Sequence, residues 1–395
     1  MTQDDSSKIK VLRIINRFNL GGPVWNVSYL SKHLPENYHT VLIGGLADAQ
    51  EGDALFIPLE MQLEPMVLKS MSREVRLFGD VKAFFEIVKI IRNFKPDIVH
   101  THASKAGALG RLAAYFCGTK VIVHTFHGNV FKGYFSPTVT KALVLTERFL
   151  ARLSNQIVAI SEIQKQELAE QFNIAPERKI TVIPLGFNLQ KFAPDLEKRS
   201  QLRLQWEVAS DEVAIGIVGR LTSIKNHTLF IDAALLAMSQ SEKKFKFFIV
   251  GDGELRNDIE NYIVSKGGAY AHRFVFTSWV KKMEECYPML DLVCLCSLNE
   301  GTPVSLIEAQ ASGIPVVTTD VGGVQNVVLN GQTGIIVPNF EAETFANAML
   351  EIVQNEKLHA QMSQKAIKFV MQNFSMEKLI KNTDELYQKM RSSHA

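Results

Sequence analysis

The sequence predicts an α/β protein built from two doubly wound domains facing a cleft. Three observations support this. Short, continuously apolar runs alternate with helical patterns, which is how parallel strands covered on both faces read. At 395 residues the chain is too long for one ordinary core, at ~150 residues per domain. A proline- and glycine-bearing stretch, "IPLGFNLQKFAPDLEKRS", interrupts the alternation near the middle and reads as a linker.

Taken in order, "IKVLRIIN" is a buried strand, followed by the turn "NLGG" and a helix from Pro23. "PDIVHTHA" leads into "SKAGALGRLAAYF", "VIVHTFHG" into "TKALVLTERFLARL", and "QIVAISE" into "IQKQELAEQF". Beyond the linker, "VAIGIVGRL" precedes "KNHTLFIDAALLAM", and "FKFFIVGDG" precedes "ELRNDIENYIV". "RFVFTSW", "LVCLCS" with a helix after it, "PVVTTD" and "TGIIVP" complete a second series. The last stretch, "SMEKLIKNTDELYQKMRSS", has the spacing of an amphipathic helix. The expected domains are 1–188 with 375–395 returning to it, and 189–374.

A formal net charge of +2 argues against bulk capture of nucleic acid. The polar start "MTQDDSSKIK" lacks the pattern of a secretory signal, and no apolar run reaches the ~20 residues of a spanning helix. Cys117, Cys286, Cys294 and Cys296 lack zinc-ligand spacing and read as reduced thiols in a cytoplasmic protein. No metal site is expected.

Ligands of open α/β sheets bind outside the carboxyl ends of strands, so residues there carry the most weight. In "SLNEGTPVSLIEAQASGIPVVTTDVGG", Glu300 and Glu308 are separated by seven residues. Thr302 fits a helix N-cap, Pro303 the first helical position and Gly313 the position just past the end, so a helix is expected over about 303–312. Its free N–H groups suit a phosphate. Glu308 then lies about 8 Å down the axis at ~1.5 Å per residue. That spacing disfavours converging metal ligands; it allows an acid/base carboxylate pair and fits an elongated ligand with a diol at each end better, the alternative being two plain carboxylates of a helix.

In "VGRLTSIKNH", Arg220 and Lys225 bracket a turn at a helix start. Cations there are unfavourable unless an anion joins them, which points to a diphosphate. Gly21 and Gly22 in "NLGGP" let backbone approach a ligand closely. His100 and His102 share a strand face. His100 and His124 read as core histidines, and His127, at a strand end before Gly128, as a site residue.

"GRLTSIKN", "GDGELR", "EGTPVSLIEAQASGIPVV" and "DVGG" resemble the donor half of glycosyltransferase family 4, and "HTHASKAGALGRLAA" and "HTFHG" its acceptor half. The resemblance implies the GT-B architecture: two Rossmann-like domains, the last helix crossing back to the first. It implies sugar transfer from a nucleotide donor with retention and without a metal or other cofactor. It places Arg220 and Lys225 on the donor diphosphate, Glu300 and His127 at the donor sugar, and Glu308 on the ribose. Gly22, Gly301, Thr302, Pro303, Val304 and Ser305 fall at matching donor-site positions, and Gly21, Gly219, Gly251 and Val280 are expected beside them in the donor site. Trp25, Asn26, Ser104 and Lys105 fall on the acceptor side.

The sequence departs from the family pattern in "PVWNV" after the glycine loop, at Asn188 where aspartate is common, and in "FTSWV" near the base pocket. Uridine is the preferred base, with guanosine the alternative. The implied acceptor is a glycan or lipid-linked saccharide of cell-surface polysaccharide or glycolipid assembly. A sugar-nucleotide epimerase and a non-catalytic sugar-nucleotide-binding partner are the rival classes. Lys105, Arg111, Lys132, Lys141, Arg148 and Arg152 amid apolar residues suggest peripheral contact with an anionic membrane.

Overall fold

The structure, a computed structural model, describes residues 8–19, 21–48, 52–72, 76–128, 131 and 136–393. Among these the chain forms two compact units, 1–187 with 375–395, and 188–374. Lys132 lies outside the described residues.

The first unit holds a seven-stranded sheet. Its strands are β1 (Ile9–Arg17), β2 (Tyr38–Gly45), β3 (Met66–Val67), β4 (Ile98–His102), β5 (Val121–Phe126), β6 (Gln156–Ala159) and β7 (Ile180–Val182). They lie parallel in the order β3-β2-β1-β4-β5-β6-β7. The order reverses between β1 and β4, the place where such sheets open a ligand site. Every residue of β4 and β5 is buried, His100, His102 and His124 included, as befits central parallel strands covered on both faces. The helix Ser104–Phe116 can lie close on the sheet because Gly107 and Gly110 lack side chains. A Cβ on Gly107 would stand 2.5 Å from His124 Cε1, and one on Gly110 2.6 Å from Thr101 Cγ2.

The last helix, Met376–Ser392, is amphipathic and belongs to this first unit. It buries Leu379, Leu386, Tyr387 and Met390 against Ile9, Val11, Ile98 and Val121. Tyr38 Oη donates to Asp384 Oδ1 at 2.6 Å. Gly186 allows the helix to approach, since a Cβ there would meet Leu379 Cβ at 2.5 Å.

The second unit holds a six-stranded sheet. Its strands are β8 (Glu212–Val218), β9 (Lys244–Val250), β10 (Phe274–Ser278), β11 (Leu292–Leu295), β12 (Val316–Thr319) and β13 (Gly334–Val337). They are parallel in the order β10-β9-β8-β11-β12-β13, with the reversal between β8 and β11. Its core is rich in phenylalanine, with Phe230, Phe245, Phe247 and Phe345 at 2% exposure or less. Cys286, Cys294 and Cys296 are buried free thiols, whereas Cys117 is half-buried.

One boundary differs from expectation by one position. The helix after β11 runs Val304–Ala311, with Pro303 as the N-cap rather than Thr302. Pro303 holds ψ at 94°, which is extended, so helical geometry starts only with the next residue. Gly313, at φ +73°, takes the left-handed conformation expected past the end, and Ile314 N–H closes on Ala309 O at 3.0 Å.

Candidate active site

The carboxyl ends of β8, β9, β10, β11 and β12 gather most of the expected donor-site residues in the second unit. Lys225 ends the turn after β8, and Glu300 stands in the turn after β11, on the two sides of the strand-order reversal. Lys225 Nζ donates to Glu300 Oε1 at 2.5 Å, and Ser297 Oγ donates to the same oxygen at 2.6 Å. Both recorded bonds fall on Oε1, so Oε2 keeps its acceptor capacity. Thr319 Oγ1 holds Ser297 in turn, donating to its carbonyl at 2.8 Å.

Arg220 is separate from this pair. Its guanidinium is mostly exposed and lies 3.4 Å from the Glu254 carboxylate. In the structure the anion beside each cation is a carboxylate of this chain, Glu254 for Arg220 and Glu300 for Lys225. Gly219 and Gly251 pack backbone on backbone: a Cβ on Gly251 would sit 2.1 Å from Gly219 O. Gly251 N–H donates to Ser278 O at 3.1 Å, which brings the end of β10, and with it the segment leading to Val280, alongside. Ser278 adopts φ +57° and takes a hydrogen bond from Arg256 Nη1 at 2.8 Å.

The turn 298–303 is held from behind by the "DVGG" stretch. Gly323 N–H donates to Glu300 O at 3.1 Å. A Cβ on Gly322 would meet Glu300 O at 1.9 Å, and one on Gly323 would meet Gly301 O at 1.8 Å. Gly301 is exposed, Thr302, Val304 and Ser305 are half-buried and Pro303 is buried. No side chain caps the helix that follows; Leu306 N–H closes on Pro303 O at 3.2 Å, and the Val304 and Ser305 amides before it are available to an anion.

Glu308 is half-buried. Tyr287 Oη lies 3.1 Å from Glu308 Oε2 and 3.1 Å from the carbonyl of Ser305. Burial pushes the Glu308 carboxyl up to about 7, and the Tyr287 bond offsets this only in part. Ser297, Tyr287, Thr319, Gly322 and Gly323 were not singled out as site residues from sequence. "DVGG" alone carried a signal, as one of the stretches that resemble the donor half of the family.

In the first unit the reversal lies between β1 and β4. Gly21 and Gly22 follow β1, and Gly21 opens the helix Gly22–His33. Asn26 is buried, and Trp25 is half-buried with its ring 5.6 Å from that of Tyr29. Both belong to the packed side of that helix. Ser104 starts the helix after β4, preceded by Ala103 at φ +66° and ψ 162°, a conformation costly for a residue with a Cβ. Lys105 pairs with Asp80.

His127 lies just past β5, and its Nε2 is 2.9 Å from His102 Nδ1. The His102 ring stacks on His127 on one side and on His100 on the other, with centroids 5.1 Å and 4.2 Å apart. Burial lowers His127 to about 4 and, together with neighbouring charge, holds His100 and His102 well below the ordinary histidine range. All three rings are therefore neutral near pH 7. His124, read as a core histidine, bonds Thr101 Oγ1 at 2.9 Å and sits edge-on to Phe126.

The basic face expected on the helices of this unit is reorganised. Arg111 is fully buried and bonds Glu147 at 2.6 Å. Arg148 donates twice to Phe172 O, at 2.8 and 3.0 Å. With Lys105 paired, Lys141 and Arg152 are the exposed members of that set among the described residues. The reason is the burial of one helix face: half of a cationic stripe must find internal partners.

The family model described as "Glycosyltransferase Family 4" matches residues 20–191, and "Glycosyl transferases group 1" matches 198–369. Among curated relatives, the chain is similar to the Escherichia coli UDP-Gal:alpha-D-GlcNAc-diphosphoundecaprenol alpha-1,3-galactosyltransferase. The two are 29% identical over 331 residues, covering 83% of this chain and 84% of that one. It is also similar to the Staphylococcus aureus capsular polysaccharide biosynthesis glycosyltransferase CapM, 27% identical over 80% of this chain and 83% of that one. Among solved structures, Anabaena Alr3699/HepE in complex with UDP superposes with a TM-score of 0.83. That match spans 96% of this chain and all of that one at 19% identity, a likeness of fold.

Proposed function

We propose that this chain, which belongs to glycosyltransferase family 4, transfers a hexose from a uridine diphosphate sugar to a lipid-linked or growing glycan acceptor with retention of configuration. The observation that carries the reading is the meeting of Lys225 and Glu300 beside the uncapped start of the helix Val304–Ala311. Cation, carboxylate and free amides then stand within one strand-end cluster, which suits the diphosphate and the sugar hydroxyls of one donor.

In this reading, Lys225, Arg220 and the helix start take up charge as the C1–oxygen bond to the diphosphate breaks. Each such donor lowers the barrier by ~2–4 kcal/mol. The acceptor oxygen bonds to C1 on the same face, and its proton passes to the departing phosphate oxygen. Glu300 Oε2 accepts from sugar hydroxyls, Glu308 accepts from the ribose diol, and neutral His127 serves the sugar as a hydrogen-bonding group. Gly21, Gly22, Gly219, Gly251 and Val280 complete the proposed donor set, and Ser104 and Lys105 the acceptor side. The preference for uridine is supported by the uridine nucleotides of the Escherichia coli relative and the Anabaena complex.

A test offers the 395-residue protein a panel of UDP- and GDP-sugars with a synthetic lipid-diphosphate saccharide. The anomeric configuration of the product is then read by NMR. Transfer from a UDP-sugar with retention is expected; an inverted product overturns the mechanism. Incubation with donor alone separates transfer from epimerisation, since only an epimerase isomerises the donor.

The surface of the first unit supports a place for this reaction at an anionic bilayer. Residues 76–153 contain twelve Lys and Arg against four Asp and Glu. None of the four acids is exposed. Asp80 and Glu147 are ion-paired, Glu86 accepts from Ser70, and Asp97 accepts from the Lys10 amide. On the helix Leu77–Phe94, Leu77, Phe78, Val81 and Phe85 stand out of the protein beside Lys82, Lys89 and Arg92. Phe78 is 90% exposed, and Phe116, at the end of the next helix, 70%. Apolar side chains among cations, with no exposed acid among the described residues of 76–153, fit a negatively charged lipid surface. No described helix is long and apolar enough to cross a membrane.

A further inference from the structure

Arg13 lies in the middle of β1, fully buried, with no carboxylate within ion-pair distance among the described residues. Its Nη1 is 3.1 Å from His100 Nδ1 and 3.4 Å from His102 Nε2, while Nε and Nη2 have no partner. A guanidinium has only donors. Both ring nitrogens it faces must therefore be acceptors. His102, with Nε2 accepting, carries its proton on Nδ1. That nitrogen lies 2.9 Å from His127 Nε2, which must accept in turn. The proton of His127 is then on Nδ1, a buried atom with no partner among the described residues.

His100 fits the same pattern. Its Nδ1 faces Arg13 and the Tyr387 hydroxyl, the latter at 2.6 Å, and its Nε2 donates to Thr125 Oγ1 at 2.7 Å. The reverse assignment at His102 would set its Nε2–H against an Arg13 N–H, two donors facing each other away from water. A proton on both nitrogens of either ring would add a cation beside a buried guanidinium.

We propose that Arg13 is a positioning residue which, through His102, locks His127 in the Nδ1-protonated tautomer and leaves that N–H to donate to an oxygen of the sugar nucleotide. The second half of this statement rests on the glycosyltransferase reading; the tautomer lock does not. Arg13 thereby does from inside the sheet what a carboxylate or carbonyl partner usually does for a functional histidine.

The test uses the full chain with 15N-labelled histidine rings, observed by long-range nitrogen–proton NMR between about pH 6 and pH 8, where an ordinary histidine titrates. His127 is expected to show a protonated Nδ1 and a bare Nε2, the less populated tautomer of free imidazole in water, without titrating. Arg13→Met should release the lock, giving His127 the Nε2-protonated form, while Arg13→Lys, which keeps a donor, should preserve the pattern. A wild-type His127 protonated on Nε2 or on both nitrogens overturns the proposal. So does an unchanged pattern in folded Arg13→Met. If Arg13→Met fails to fold, the wild-type and Arg13→Lys spectra still decide. Turnover reads the other half: Arg13→Met is expected to lower kcat about tenfold, the scale of losing an outer partner, with KM for the donor little changed. A shifted tautomer with full turnover would keep the lock and remove His127 from the reaction.

Discussion

Lys225 Nζ lies 2.5 Å from Glu300 Oε1 and joins the turn after β8 to the turn after β11. The two side chains are 22% and 12% exposed, so each answers the other's charge in a partly dry setting. A phosphate arriving at Lys225 would share a cation already oriented by Glu300 and Ser297. Lys225→Met and Glu300→Gln should each lower kcat by ~10²–10³, the usual cost of one oriented charge-stabilising group. The double variant should lose far less than the product, because the two act as one unit. Steady-state kinetics of the four proteins checks this; multiplicative losses would mean that the pair works as two independent groups.

Glu308 gives a pH dependence of known sign. Its folded value of about 7 is above the ordinary carboxyl value, so protonated Glu308 is favoured by folding. That contribution is fully present below the ordinary carboxyl range and is lost as pH rises through about 7. The ligand-free Glu308→Gln protein should therefore gain thermal stability over wild type at pH 8 and little at pH 5. A ribose diol needs the ionised form as acceptor, so KM for the donor should climb as pH falls below about 7 in wild type and stay level in the variant.

Gly323 should tolerate no side chain. Its backbone dihedrals are ordinary, φ −83°, but a Cβ would stand 1.8 Å from Gly301 O. Gly323→Ala must push the 298–303 turn away and take Glu300 with it. We expect destabilisation of ~1–3 kcal/mol and a larger loss of donor binding, measured by denaturation and by calorimetry with UDP. Unaltered binding would mean that the turn moves without consequence.

The histidines of the first unit act in the opposite sense from Glu308. His100, His102, His124 and His127 all have folded values below the ordinary one. The unfolded chain binds those protons first, so the stability they contribute is present above about pH 6.5 and is lost as pH falls toward 4. Hydrogen exchange should show β4 and β5 opening on acidification before β9 and β11. The pH–rate profile should lack a limb near 6.5 from His127, which is neutral down to about 4.

Phe78→Ser with Phe85→Ser should release the protein from phosphatidylglycerol vesicles in a flotation assay, leaving transfer to a short soluble acceptor intact. High salt should weaken wild-type binding, since cations such as Lys82 and Lys89 contribute to it. Equal flotation of variant and wild type would place any membrane contact elsewhere.

The strands themselves were legible because buried parallel strands are written as continuous apolar runs, as in "VIVHTF" and "LVCLCS"; their order in each sheet was not. The strand-end positions of Lys225, Glu300 and Gly251 followed from the same runs. Partnerships were harder to read. Nothing in the spacing says that Lys225 would meet Glu300, 75 residues away, or that Tyr287 would reach Glu308. Arg13 was invisible, because a cation inside "IKVLRIIN" looks like a strand's polar face until both faces prove covered. The partial burial of the basic stripe was hidden for the same reason: a sequence shows that Arg111 is charged and not that Glu147 awaits it inside.

The return of the helix Met376–Ser392 to the first unit sets a schedule for synthesis. Residues 188–374 form one uninterrupted stretch and hold every strand of their own sheet. They can fold on one contiguous piece of chain, with no segment to wait for from elsewhere. The first unit, made earlier, must wait: Ile9, Val11 and the ring of His100 are not covered until Leu386 and Tyr387 emerge. Loss of the helix Met376–Ser392 would therefore damage the half of the protein that was translated first.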